Sequence, residues 1–220
     1  LLLLKSENAS APESSEAEFL QSGTAERKWN GDIPDQTPVM LAYTSGTTGT
    51  PKGAVHTNES YAAAAANASL TFEIDRHTET LTFAPLFHIG GLAIETLPSL
   101  YSGASVTIPR ELDSGLILSD ISKYKISRIG ALPPVSRALF NDPGWETADL
   151  SSLNAAYTGS TRVPIEQIDR WLERGIPLAQ IYGMTEAIPP ILLVPTDRVE
   201  STKGSLGMPA PYCEVRLVDE

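Results

Sequence analysis

The stretch "PVMLAYTSGTTGTPKGAVHT", Pro38 to Thr57, decides how the chain is read. Pro38 to Thr44 is a short apolar run and Gly53 to Thr57 is a second, β-rich run, so the pattern predicts two strands joined as a hairpin. The connecting loop sets Thr44, Ser45, Gly46, Thr47, Thr48 and Gly49 in a row. Their hydroxyls, with backbone amides that glycine lets approach a ligand closely, suit phosphate oxygens. Lys52 adds a point charge just past the turn. The ATPase P-loop does not fit, because Pro51 replaces the glycine before the lysine and Gly53 replaces the magnesium-binding hydroxyl after it. The segment that follows reads as strand, so no helix dipole is aimed at the phosphate.

Outward from this loop the chain alternates. Asn58 is expected to cap the alanine-rich helix "ESYAAAAANASL". From Thr80 onward strands are expected at "TLTFAP", "ASVTIP", "ISRIGAL", "LNAAYTG" and "IPLAQIYG". Helices are expected between them at "HIGGLAIETLPSLYSG", "DSGLILSDISKYK", "PPVSRALFN" and "VPIEQIDRWLERG". Strands alternating with helices of this length indicate an α/β fold whose mostly parallel sheet is flanked by helices. The closing "GSLGMPAPYCEVRLVDE" reads as turns followed by an alternating strand, the start of a small β unit. Three segments result: 1–38 as the end of a strand plus a surface connection, 39–202 as the α/β body, and 203–220 as the β-rich start. The leading "LLLLKSENAS", without an initiator methionine or a secretory pattern, is expected to be the tail of a buried strand in a longer protein.

Composition narrows the function. The 220 residues carry 27 acidic against 16 basic side chains, a formal charge of −11, which repels a nucleic-acid backbone. Any anionic substrate must therefore be held by local amides, a few cations or a metal ion. The single cysteine, Cys213, matches no zinc or paired-thiol spacing and is expected to pack; with it, a reducing, cytoplasmic setting is expected. No apolar run reaches transmembrane length. No serine-hydrolase elbow occurs, and His56 and His77 are read as structural.

"YTSGTTGTPKG" resembles the phosphate-loop signature of the adenylate-forming superfamily, which includes acyl- and aryl-CoA synthetases, luciferases and peptide-synthetase adenylation domains. Further stretches fall in the family's order: "PLFHIGGL" (Pro85 to Leu92), "YTGSTRVP" (Tyr157 to Pro164), "QIYGMTE" (Gln180 to Glu186) and "KGSLGMPAP" (Lys203 to Pro211). The resemblance implies ATP-dependent activation of a fatty or aryl carboxylic acid as an acyl-adenylate, then thioester formation with coenzyme A. It implies that the loop from Thr44 to Lys52 grips the β- and γ-phosphates, that Thr185 contacts the α-phosphate, and that Glu186 ligates magnesium. Tyr182 would give adenine an aromatic face and Gly159, Ser160 and Thr161 a thin wall, with Gln180, Gly183 and Met184 alongside. Thr161, Arg162 and Val163 depart from the commoner G-[GS]-A-P-L pattern, and a plain strand-to-helix turn at Gly159 stays open.

His88, alone among apolar residues, reads from the sequence as a packed side chain. The resemblance places it instead at the substrate carboxylate, with Gly90 and Gly91 bordering the acyl pocket. A general base is unnecessary, because a carboxylic acid arrives ionised. The resemblance further implies that a ribose-binding aspartate, a hinge and a mobile domain bearing a catalytic lysine lie beyond Glu220, leaving this piece inactive alone. A carrier-protein thiol as acceptor, or a non-catalytic nucleotide-binding module, are the alternatives.

Overall fold

The chain divides into two compact units, Leu1–Ile33 and Pro34–Glu220. The structure, a computed structural model, describes Gly31 and residues 33–45, 49–109 and 111–219, so the account concerns the second unit. The expected strand tail at the first residues, and the connection as far as residue 30, lie outside the described residues.

Strands β1 (Pro38–Thr44) and β2 (Lys52–Thr57) form the expected antiparallel hairpin, with Thr44 opposite Lys52 and Tyr43 opposite Gly53. Burial alternates along β1, with Met40, Ala42 and Thr44 on the more covered face, the period of two of a half-buried strand. Helix α1 (Asn58–Thr71) follows without a break. Its cap is Thr57 and not the expected Asn58: the Thr57 hydroxyl accepts from Ser60 N–H at 3.3 Å, and Ser60 Oγ accepts from Thr57 N–H at 2.9 Å. The last residue of the strand carries the hydroxyl and the third residue of the helix answers it, a reciprocal box that fixes the start one residue earlier.

Beyond α1 come β3 (Glu79–Leu81), a π-helical segment (Gly90–Thr96), α2 (Leu97–Tyr101) and β4 (Ser105–Thr107). Then follow α3 (Ser114–Tyr124), β5 (Arg128–Gly130), α4 (Pro133–Asn141), β6 (Ala155–Thr158), α5 (Ile165–Leu172) and β7 (Leu178–Tyr182). Short strands β8 (Leu192–Leu193) and β9 (Met208–Pro209) close the set. The sheet order is β4-β3-β5-β6-β7-β8-β9; the first five strands are parallel and the last two antiparallel. The expected α/β class with a mostly parallel, helix-flanked sheet is the observed one. Glu214 to Asp219 form no strand among the described residues, whereas Met208–Pro209 joins the main sheet as its outer strand.

From β3 the chain first runs outward to β4 and then returns to the other side of β3 as β5. The direction of winding reverses between β3 and β5, which opens a crevice at the carboxyl ends of these strands, the usual ligand position in open parallel sheets. The core is continuous from Phe72 through Leu81, Ile129 and Ala156 to Ala179. Below it Trp145 and Trp171 meet edge to face with centroids 5.0 Å apart, and Trp171 Nε1 donates to Ser136 Oγ at 3.0 Å. Asn67, buried on α1, ties the chain's later course to the helix: its Nδ2 donates to Pro190 O at 3.1 Å and its Oδ1 accepts from Tyr212 N–H at 3.2 Å. Cys213 packs beside it.

Replacing Asn67 by alanine leaves two backbone groups unpaired. The expected cost is about 2–4 kcal/mol, read as a lower Tm of the intact protein. An unchanged Tm would remove Asn67 from this role.

Candidate active site

Two adjoining cavities open where the winding reverses. The larger encloses about 280 Å³ and the smaller about 210 Å³, and both are lined by His88, Gly90, Ile94, Ser160 and Ile181. Every wall of the larger one comes from the segment after β3, the π-helical segment, or the carboxyl ends of β5, β6 and β7. Phe83, Phe87, Leu132 and Tyr157 make it predominantly apolar. The smaller one is bounded by Gly183, Met184, Thr185 and Pro189. The motifs around His88, Gly159 and Thr185, separated by some seventy and then twenty-five residues of sequence, thus share one space.

Local geometry explains how each is placed. The π-helical segment adds a residue to the turn, so that Leu97 N–H reaches Leu92 O, five positions back, while Thr96 Oγ1 donates to Gly91 O at 2.8 Å. Gly91 does not line either cavity. A β-carbon there would stand 2.4 Å from Ala84 O, so this glycine lets the segment pack onto the backbone that leads to His88. His88 is exposed and its Nδ1 accepts from Gly90 N–H at 3.0 Å. In the neutral ring that bond leaves the proton on Nε2, a donor on the far side of the imidazole.

Gly159 follows β6 at a point where a β-carbon would stand 2.6 Å from Ile181 O, and Ser160 takes the left-handed conformation with φ 65°. At Gly159 the wall is therefore backbone without a side chain. Thr161 is exposed and Gln180 is buried within β7, and neither lines the two cavities. Tyr182 ends β7 half-exposed. Thr185–Ala187 forms a single 3-10 turn that packs against both hairpin strands. Thr44, Ser45, Gly49 and Lys52 are at the loop end of that hairpin, where Thr44 Oγ1 donates to Lys52 O at 3.5 Å. Gly46, Thr47 and Thr48 lie outside the described residues. No group of three or more His, Cys, Asp or Glu gathers among the described residues. Glu186 fits magnesium only in the mode where one carboxylate shares the ion with substrate phosphates.

Sequence reasoning missed a buried polar pair. Glu95, on the π-helical segment, lines the larger cavity. Burial pushes its carboxyl from 4.5 up to about 7, against the opposing pull of Arg128 and the Thr82 hydroxyl. Arg128, on β5, is itself buried and lies between the Phe72 and Tyr157 rings, 4.6 and 4.8 Å from their centroids. The signal was present as a lone acid in "GGLAIETLP" and a lone base in "ISRIGAL", each within an apolar run.

This fold and this clustering of motifs match the AMP-binding enzyme family over residues 2–220, and the chain belongs to that family. Indoleacetate–CoA ligase of Aromatoleum aromaticum is 38% identical over 188 residues, 86% of this chain and 37% of the relative. Feruloyl-CoA synthase of an Amycolatopsis species is 35% identical over 192 residues, 84% and 39% respectively. Among solved structures, the inhibitor-bound N-terminal domain of FACL13 from Mycobacterium tuberculosis superposes with a TM-score of 0.82 at 26% identity, over 89% of this chain and 49% of that one. Anthranilate CoA ligase AuaEII, in complex with anthranoyl-AMP, gives 0.74 at 28% identity, over 82% and 35%. The chain therefore spans well under half the length of the curated relatives named. No helix of the described residues is long and apolar enough to cross a membrane.

The raised carboxyl of Glu95 predicts a pH dependence. Between pH 4.5 and about 7 the folded protein holds a proton that the unfolded chain has released, so stability falls as pH rises through that window. The full cost, roughly 3 kcal/mol, is present above it. Glu95→Gln is expected to raise the Tm of the intact protein at pH 8 and to leave it nearly unchanged at pH 4.5. An equal effect at both values would disprove the assignment.

Proposed function

We propose that the intact enzyme containing this chain uses ATP to activate an aromatic carboxylic acid as its acyl-adenylate and then passes the acyl group to the thiol of coenzyme A. The observation that supports this most is the meeting of the His88, Gly159–Ser160 and Gly183–Thr185 segments around one pair of cavities, next to the hydroxyl-rich hairpin. The named relatives, ligases of indoleacetate and ferulate, point the same way. Size also argues for rings over long chains: an apolar cavity of ~150 Å³ holds one benzene, and the larger cavity has about 280 Å³.

In this reading a carboxylate oxygen attacks the α-phosphorus and pyrophosphate leaves. Two anions must meet, so the residues supply charge and position more than proton transfer. His88 presents Nε2–H to the carboxylate. Thr185 donates to the α-phosphate, and Ser45, Thr44 and Lys52, with the remainder of the loop, hold the β- and γ-phosphates. Gly159 and Ser160 back the adenine opposite Tyr182. Glu186 would hold magnesium, which when bound would supply positive charge to offset that of the phosphates.

Carboxylate-stimulated exchange of pyrophosphate into ATP, measured on the intact enzyme, tests the reading. Lys52→Ala is expected to raise the KM for pyrophosphate about 10–100-fold, the loss of one charged hydrogen bond, with Tm unchanged. Glu186→Gln is expected to lower magnesium-dependent kcat about 100-fold. Absence of exchange with every aromatic and fatty acid tried would refute the ligase reading, and wild-type kinetics in both variants would refute the residue roles.

A further inference from the structure

The two cavities differ in one chemical respect. His88, Gly90, Ile94, Ser160 and Ile181 form the wall between them, whereas Glu95, Gly130, Leu132, Phe83 and Tyr157 line the larger one alone. An acid whose carboxylate lies at His88, facing the turn at Thr185, therefore sends its other end toward Glu95. Along that path the walls are aromatic and aliphatic, and Glu95 is the only carboxylate among the described lining residues. Its side chain lies over Gly130, where a β-carbon would collide with Oε1 at 1.8 Å, so the absence of a side chain on β5 makes the room it occupies. Glu95 is only 7% exposed, and its Oε2 makes no hydrogen bond within the protein, although the Thr82 hydroxyl, which likewise has no partner, acts on the carboxyl.

A buried carboxyl oxygen without a partner is costly, and burying it beside a cavity makes a ligand the natural source of the missing bond. Arg128 keeps a positive charge close to the carboxyl but is itself packed between the Phe72 and Tyr157 rings and does not line the cavity. What can complete Glu95 from the cavity side is a donor held by the bound acid.

We infer that Glu95 sets substrate specificity, its carboxyl accepting a hydrogen bond from an O–H or N–H group at the end of an aromatic acid remote from the reacting carboxylate. A phenolic hydroxyl, an aryl amine or a ring N–H meets the requirement; an unsubstituted phenyl or an alkyl chain leaves Oε2 unpaired. The inference rests on the ligase reading and adds to it the chemistry of the substrate's far end. A site built around such a bond discriminates against the analogue lacking the donor far more strongly than an apolar pocket discriminates by size, because the protein's own polar atom is then stranded.

Matched acids that differ by one donor test this on the intact enzyme: cinnamate with 4-hydroxycinnamate, phenylacetate with 4-hydroxyphenylacetate, and 1-methylindole-3-acetate with indole-3-acetate. Pyrophosphate exchange gives kcat/KM for each, and equilibrium binding gives Kd. In the wild type at least one pair is expected to favour the donor-bearing acid about 100-fold. Glu95→Met, which keeps volume and removes the acceptor, is expected to abolish that preference and to improve use of the plain acid. Glu95→Gln, which still accepts through its amide oxygen, is expected to retain part of it; a merely structural Glu95 would lower activity on both members of a pair alike. Exchange with these acids but no preference in any wild-type pair overturns the role of Glu95 and leaves the ligase reading standing, even if Glu95→Met fails to fold. A preference that survives in Glu95→Met overturns it equally. Exchange with none of the acids, together with no binding, overturns both.

Discussion

The site depends on a small apolar core that is separate from the main one. Ile89, Ala93 and Ile188 are buried together, with Met40, Tyr61 and Ala64 packed against them. These six residues come from β1, α1, the segment around His88 and the turn after Thr185, the places where the motifs lie. The hairpin does not pair with the main sheet, and a lone two-stranded ribbon is marginal in water. It is held where it can face Thr185 and Glu186 by these contacts and by α1, which continues from β2. The price of the arrangement is visible in two places. Ile188 is held at φ 44°, a conformation that a β-branched residue adopts only when its surroundings impose it, and burial pushes the Tyr61 hydroxyl up to about 12.

Around this anchor the parallel sheet does the positioning. Strands β3, β5 and β6 are short, three or four residues each, and end within two residues of one another in register, so three chain segments turn over the same crevice. Parallel strands direct all their carboxyl ends to one side, and every α/β crossover returns the chain to the other. The residues that leave each strand top are therefore neighbours however far apart they stand in sequence. The π-helical segment completes the rim, and its extra residue per turn accompanies the placement of both Gly90 and Glu95 on the cavity.

Much of this was legible from sequence for identifiable reasons. Helix α4 begins at Pro133 and ends at Asn141 as expected, because proline at the first helical positions fixes its start. The hairpin was legible because strand periodicity brackets a loop that glycine and hydroxyls mark. What was not legible depended on pairing at a distance. "TLTFAP" looks like six residues of strand, but pairing runs only as far as Leu81, with one further bond from Thr82 N–H to Thr107 O, since β4 and β5 determine how far it extends. The π-helical bond from Leu97 to Leu92 leaves no periodic trace in so short a segment. Gly91 looked like pocket lining because its packing partner, Ala84 O, is a backbone atom without a sequence signature. Glu95 and Arg128 were overlooked because a lone charge in an apolar run reads as a surface position until the fold buries it.

That buried pair bears on how a chain of net charge −11 handles anionic substrates. The overall field repels both a carboxylate and a nucleotide, so attraction must come from groups close to the reacting atoms. In this fold such groups cluster at the hairpin end, where Lys52 is exposed, and at the rim, where His88 stands. Glu95 lines only the larger cavity, with the charge of Arg128 close to it. An acid entering with its carboxylate toward Glu95 would set that carboxylate against a buried acid. The reverse orientation meets donors at His88 and the Gly159–Ser160 backbone. The same side chain that would read the far end of the substrate thus also opposes its backward binding. On the proposed reading one buried carboxyl would govern both orientation and specificity, while Arg128, held between Phe72 and Tyr157, offsets part of the cost of burying it.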